Sequence, residues 1–269
     1  MTESWGESCA EILTRVRERA PLVHNIANYV AMDVAANVLL AIGASPAMVH
    51  APEEVTEFVA ISQALVVNIG TLSAPWVESM VAGARTASER GCPWVLDPVG
   101  AGATGFRNRT VERLLAHRPT VIRGNASEIL AVAGSAGVPR GVDSVNTPEQ
   151  ARDAASALAG RIGSVVAVSG AIDLVTDGVR GIRLGNGDPL MTKVTALGCA
   201  LSAVTGACLA VEPDPFTATA AAVAIFGVAG EIAASRAAGP ASFRTAFIDA
   251  LHAVDAPVLA ERLRVVESW

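Results

Sequence analysis

Short apolar runs rich in β-branched residues alternate with Ala-rich stretches of helical periodicity, and this alternation does most to limit what the chain can fold into. The runs are Ala64–Ile69 (ALVVNI), Trp94–Leu96 (WVL), Thr120–Ile122 (TVI) and Val165–Ser169 (VVAVS). Helical patterns lie between them over Trp76–Arg90, Asn108–Ala116 and Pro148–Arg161. Strands in which both faces are apolar, joined by helices, form a parallel sheet covered on both sides. An antiparallel pair is predicted next, Asp173–Thr176 with Gly181–Leu184, turned by Asp177-Gly178. From Cys199 onward the chain reads as helices almost to its end. The predicted class is α/β with a mostly parallel central sheet between helical layers.

Composition supports a large buried interior. Of 269 residues, 51% are hydrophobic and 17% charged, against about 25% charged in average soluble domains. So little charged surface suits a doubly covered sheet in a single domain over 1–269, or a subunit that hides surface in an oligomer. The net charge is −6, with no basic run. Nucleic-acid binding, which needs a positive patch, is not expected. The N-terminal stretch does not read as a signal peptide. The most apolar part, Thr217–Ala229, reads as a buried helix and not a membrane span. The cysteines at 9, 92, 199 and 208 form no C-x-x-C and have no histidine at metal-ligand spacing, which points to free thiols in a reducing cytoplasm.

In sheets of this kind ligands sit beyond the carboxyl ends of the strands. Trp94–Leu96 runs into Asp97-Pro98-Val99-Gly100, and Thr120–Ile122 runs into Arg123-Gly124-Asn125-Ala126-Ser127-Glu128. Asp97 and Glu128 on one sheet edge could organise a hydrated Mg²⁺, and Arg123 offers a planar fork of donors for phosphate. The plainer alternative makes Asp97 a turn cap and Glu128 a solvated first-turn acid. Thr195-Ala196-Leu197-Gly198-Cys199 leads into a helix, whose N-terminal amides could hold an anion and whose dipole would lower the Cys199 thiol pKa. Gly100-Ala101-Gly102-Ala103-Thr104-Gly105 also fits G-x-G-x-x-G, which leaves open an NADP-dependent oxidoreductase. Against that, Asp97 would face the pyrophosphate with the wrong sign.

An ordered set of motifs resembles the hydroxyethylthiazole kinase family. It comprises Val23-His24-Asn25-Ile26, Asn28-Tyr29-Val30, Gly43-Ala44-Ser45-Pro46-Ala47-Met48, Leu65–Leu72, Asp97–Ala101, Arg123–Ile129, and Ser169-Gly170 with Asp173 and Asp177-Gly178. The resemblance spans roughly residues 20 to 235. It implies a ribokinase-like three-layer α/β/α sandwich and ATP- and Mg²⁺-dependent phosphorylation of 4-methyl-5-(2-hydroxyethyl)thiazole. It also implies a homotrimer with active sites between subunits. Carried over by position, Arg123 and Ser169 would contact ATP, and Asn125 with Asp97 and Glu128 would organise Mg²⁺. Met48 would contact the thiazole near Asn25. Gly198 and Cys199 would form the anion hole and the position beside the reacting hydroxyl. Ala196 departs from the family, which usually reads Thr-Gly-Thr-Gly-Cys. It stands where a glycine contacts substrate, and alanine is tolerated there only if φ is negative. That departure keeps two further readings open: a kinase for another hydroxymethyl heterocycle, such as a pyrimidine or vitamin B6 alcohol, and a binding protein without turnover.

Overall fold

The computed structural model describes residues 5–138 and 148–269. The strands are β1 (Leu22–Ile26), β2 (Ser45–Ala47), β3 (Ala64–Asn68), β4 (Trp94–Asp97), β5 (Val121–Asn125), β6 (Val165–Ser169), β7 (Asp173–Thr176), β8 (Gly181–Leu184) and β9 (Val265–Ser268). Among the described residues they form one nine-stranded sheet in the order β2-β1-β3-β4-β5-β6-β7-β8-β9. The first six run parallel, and β7, β8 and β9 each pair antiparallel with their predecessor.

Eleven helices are described: α1 (Trp5–Arg19), α2 (Met32–Ala41), α3 (Val55–Ile61), α4 (Ala74–Arg90), α5 (Gly105–Leu115), α6 (Ala126–Ser135), α7 (Pro148–Ile162), α8 (Leu197–Leu209), α9 (Pro215–Arg236), α10 (Pro240–Ala253) and α11 (Ala256–Arg262). Along each strand alternate side chains enter different layers, because the side-chain period is two. Val66, Val95, Val121 and Val165 pack with apolar residues of α1, α2 and α8–α11. Leu65, Val67, Leu96 and Val166 pack with those of α3–α7. Two cores separated by a sheet make the expected three-layer sandwich.

The apolar run over 217–229 is inside α9, a helix of 22 residues whose most apolar window is 83% buried; it is a core helix. α8 crosses the same face, and Gly206 lets it approach closely. A Cβ there would lie 2.8 Å from Val66 Cγ2.

One reading of the sequence needs correction, and three strands were not read from it. Asp97, Arg123 and Asn125 belong to the strands β4 and β5 and do not follow them. Polar residues at the last positions of parallel strands disguise the strand ends, although their backbones still pair, as in Asn68↔Asp97 and Asn125↔Ser169. β1 and β2 carry no long β-branched run, and β1 is recognisable as a strand only once β3 covers its edge. The helices do run almost to the end, through α11, and β9 then follows, because Val265–Ser268 completes the open edge of β8.

Candidate active site

The registers Ile26↔Val67, Asn68↔Asp97, Leu96↔Ile122 and Asn125↔Ser169 set the carboxyl ends of β1, β3, β4, β5 and β6 side by side. Asn25 and Met48 stand at the β1–β2 end of this edge, and Arg123 and Ser169 at the β5–β6 end. Asp97 lies between the two groups.

Asp97 is fully buried. Its Oδ2 accepts hydrogen bonds from Asn68 Nδ2 (2.7 Å) and Ser202 Oγ (2.8 Å). Its Oδ1 has no partner among the described residues. Burial pushes the carboxyl from its ordinary 3.8 up to about 6; Arg123 and the two hydrogen bonds pull it down, and the charge of Glu128 adds to the rise. An orphaned carboxylate oxygen under the influence of a second carboxylate's charge is an arrangement that a cation relieves. Among the described residues no group of three or more His, Cys, Asp or Glu could hold a metal ion. Two carboxylates suit Mg²⁺ better than a metal needing a full protein cage, because Mg²⁺ keeps waters and takes substrate phosphates as ligands.

Glu128 is less free than its position in the sequence suggests. Its Oε1 accepts from Gly100 N and its Oε2 from Asn125 N, both at 2.9 Å, while Asn125 Oδ1 accepts from Glu128 N at 3.0 Å. This is a reciprocal capping box at the start of α6. The acid therefore ties the loop after β4 to the end of β5, with lone pairs remaining on each oxygen.

Arg123 is buried and donates from Nη2 to Ser169 Oγ at 2.5 Å. Its Nε has no partner among the described residues. The guanidinium lies against Gly198, where an added Cβ would sit 2.8 Å from Nη1. Arg123, Ser169 and Gly198 line a cavity of about 620 Å³, together with Asp173, Asn186, Asp188 and apolar residues of α8 and α9. Asp97, Glu128, Asn125, Met48, Asn25, Ala196 and Cys199 are not in its lining. Arg123 thus stands between the cavity and the acids.

α4, α5, α6, α9 and α11 each begin under a capping side chain, whereas α8, like α2 and α3, does not. The first-turn amides of α8 therefore lack both intrahelical acceptors and a side-chain cap, at the cavity wall beside Arg123. The residue before α8, Ala196, has φ 64° and ψ 10°. This is the left-handed region, so the condition for a comfortable alanine is not met.

Cys199 sits in the first turn of α8, and its Sγ accepts a contact from Asn28 Nδ2 at 3.5 Å. The expectation of a lowered thiol pKa is wrong. Burial, and after it the negative charge of Asp97, push the thiol up to about 11, while the amides of Asn68 and Asn28 and the charge of Arg123 only partly offset this. Desolvation outweighs the helix dipole here.

Asn28, Asn68 and Ser202 were not assigned roles from sequence. Asn28 Nδ2 donates to Asn68 Oδ1 at 2.7 Å, and Asn68 and Ser202 hold Asp97. The signal available was two asparagines in apolar surroundings, since buried amides need partners. Asn25 is buried, with Nδ2 donating to Val23 O at 2.9 Å, and Met48 packs at the margin of the core just after β2.

The glycine loop after β4 is not a dinucleotide cradle. Gly100 N is taken by Glu128, and Gly102 N donates to Asn108 Oδ1 at 2.9 Å. Arg107 packs over Gly100 and donates to the carbonyls of Ile69, Gly70 and Val99. The amides a pyrophosphate would need are already used.

The profile of the hydroxyethylthiazole kinase family matches residues 13–257. The chain belongs to the hydroxyethylthiazole kinase family. It is 57% identical to a hydroxyethylthiazole kinase of Cereibacter sphaeroides over 96% of this chain and 98% of that one. A hydroxyethylthiazole kinase of Rhizobium etli is 58% identical over 94% and 99%. Among solved structures, a hydroxyethylthiazole kinase protein from Pyrococcus horikoshii superposes with a TM-score of 0.91 at 42% identity, covering 97% of this chain and 98% of that one. A pyridoxal kinase from Staphylococcus aureus in complex with ADP shares the ribokinase-like fold at 16% identity, with a TM-score of 0.60 over 79% and 88%. For this member of the hydroxyethylthiazole kinase family the comparisons do not favour the oxidoreductase alternative, as expected from the occupied glycine loop.

Two predictions follow from this geometry. The folded-state pKa of Asp97 lies above its unfolded value, so folding favours the protonated form. Without metal or nucleotide, its charge therefore costs stability above about pH 6, and the cost is gone below the ordinary value of 3.8. Asp97→Asn should raise the melting temperature at pH 8 and leave it nearly unchanged well below the ordinary carboxyl value, at about pH 3, while kcat/KM falls roughly 100-fold or more. Ala196→Gly should stabilise the protein by about 1 kcal/mol, read as a rise in urea midpoint at constant m-value, because it relieves the left-handed alanine.

Proposed function

We propose that this protein is a single-domain kinase that transfers the terminal phosphoryl group of ATP to the hydroxyl of 4-methyl-5-(2-hydroxyethyl)thiazole, a step of thiamine biosynthesis or salvage. The observation that carries this reading is family membership along nearly the whole chain, joined to Arg123 and the uncapped start of α8 in the wall of one cavity, with Asp97 and Glu128 behind Arg123. In this reading the cavity takes ATP, with Arg123 and Ser169 at its phosphates. The acceptor lies toward Met48 and Asn25, with Ala196 beside it.

The hydroxyl oxygen attacks the γ-phosphorus as the bond to the β–γ bridging oxygen breaks, giving the thiazole phosphate and ADP. Phosphoryl transfer in most analyses is loose, so positioning and charge neutralisation outweigh a strong base. Arg123 and the amides of Gly198 and Cys199 face the oxygens of the migrating group. Asp97, Glu128 and Asn125 would hold Mg²⁺, which would supply positive charge to offset that of the phosphates. With a pKa near 11 the Cys199 thiol is protonated at neutral pH, so it orients the hydroxyl, and the hydroxyl proton leaves to solvent.

Free thiols and use of ATP fit a cytoplasmic location, and the partner is a small molecule with no role for nucleic acid or membrane. A homotrimer with active sites between subunits fits the exposed apolar side chains Tyr29, Val30, Leu40 and Ile61. Phosphorylation of a different hydroxymethyl heterocycle is the second reading, and the left-handed Ala196 is what favours it, since its methyl stands where the family usually has glycine.

A coupled ADP-release assay with ATP–Mg²⁺ should respond to hydroxyethylthiazole in preference to hydroxymethylpyrimidine and pyridoxine. Equal or better turnover of either alternative would move the substrate assignment. Cys199→Ala should slow turnover by about tenfold, less than the roughly 100-fold or more expected for loss of a general base. The residual rate should show no ionisation between pH 6 and 8 that the parent enzyme lacks.

A further inference from the structure

Gly185, Asn186, Gly187 and Asp188 connect β8 to the 3₁₀ turn Pro189–Lys193, and Asn186 to Asp188 form one wall of the cavity shared with Arg123 and Ser169. A connection with two glycines has little local stiffness of its own. Here it is gripped from outside by residues that do not line the cavity.

The side chain of Asn186 is wholly committed to that grip. Its Nδ2 donates to Arg262 O (2.8 Å) and Glu231 Oε1 (3.2 Å), and its Oδ1 accepts from Arg264 N (2.7 Å). Gly187 N donates to the same Glu231 oxygen at 3.1 Å, and so does the Arg264 guanidinium. Arg264 also reaches Gly185 O at 2.5 Å, and Gly185 N donates to Arg264 O at 2.9 Å. From the helix side, a Cβ on Gly227 would sit 2.9 Å from Asn186 Cβ, so α9 lies directly against the wall.

The C-terminal segment that supplies Arg262 and Arg264 is itself anchored. β9 pairs with β8 across a register shift between Arg183 and Leu184. Trp269 and Gly181 exchange two backbone hydrogen bonds at 3.0 Å. The Trp269 ring fills the space over Gly181 and carries the Arg152 guanidinium 4.0 Å from its centroid. Arg262, Arg264, β9 and Trp269 lie beyond residue 257, where the match to the family profile ends.

We infer that the C-terminal segment Arg262–Trp269, through Arg264 and Glu231 acting on Asn186, is a positioning element that holds the nucleotide-side wall of the cavity in its binding conformation. The inference rests on the reading of this cavity as the ATP site. A wall already ordered loses no further freedom when ligand arrives, so the grip acts on nucleotide affinity. The Arg264 side chain is 57% exposed, and an exposed ion pair contributes little to global stability. Its removal is therefore readable in binding without unfolding the protein.

The experiment uses the full chain and measures KM for ATP, KM for hydroxyethylthiazole, kcat, and thermal unfolding without ligand. Calorimetric titration of the parent enzyme with ATP–Mg²⁺ accompanies it. Arg264→Ala removes the guanidinium's hydrogen bonds to Glu231 and Gly185 O and should raise the ATP KM about fivefold, with thiazole KM and kcat at saturating ATP unchanged. Arg264→Lys should recover part of that affinity. Glu231→Gln keeps an acceptor for Asn186 and Gly187 but loses its charge, and should give a smaller rise. An unchanged ATP KM in folded Arg264→Ala, or an equal rise in both substrates' KM, overturns the inference while leaving the kinase reading intact. If that variant does not fold, an unchanged ATP KM in Glu231→Gln overturns it instead. A parent enzyme that binds no ATP overturns the nucleotide reading itself and this inference with it.

Discussion

The candidate site depends on a carboxylate held where a carboxylate does not want to be. Asp97 has no solvent, one oxygen engaged by Asn68 and Ser202, and the other without a partner among the described residues. The charge is tolerated because Arg123 is near and is resisted because Glu128 is near. Desolvation of this kind is costly unless a compensating charge arrives, which is why such clusters mark places where charged ligands bind. The chain Asn28–Asn68–Asp97–Ser202 then fixes the carboxylate from the loop after β1 to α8, so that its direction is set by buried hydrogen bonds.

The second constraint is the start of α8. An alanine in the left-handed region, a missing cap and a glycine pressed against Arg123 are each unfavourable taken alone. Together they leave amides and a guanidinium pointing at one place. Strain and unsatisfied donors gathered beside buried charge are what a protein retains for binding an anion. Cys199 shares this corner, yet its thiol is pushed the opposite way by burial and by Asp97. The same charge that organises the site thus keeps the thiol from becoming a base.

Much of the fold could be read from the chain itself. β6, β7 and β8 coincide with the runs read at 165–169, 173–176 and 181–184, because alternation and an Asp-Gly turn are local signals. The ends of β4 and β5 could not be read, since polar Asp97 and Arg123 look like loop residues until their neighbours' backbones pair with them. β9 was hidden for a related reason: Val265–Ser268 is a strand only because β8 leaves an edge to fill. In the site, Asp97, Glu128, Arg123 and Gly198 were identifiable by residue type at strand ends and at the start of a helix. Asn28, Asn68 and Ser202 were not, because an amide or hydroxyl announces a role only through its partner.

By itself the sequence determined the α/β class, the family and the list of charged residues at the strand ends, all of which follow from local periodicity and from motif order along the chain. Tertiary structure decided what those residues can do. It put both oxygens of Glu128 on backbone amides, consumed the amides of the Gly100 loop, raised the Cys199 thiol and gave Ala196 a positive φ. It also brought the last residues of the chain against the cavity wall. Burial, hydrogen-bond partners and backbone angles depend on segments distant in sequence, and electrostatic character follows from burial; neither exists until the sheet and its two helical layers close.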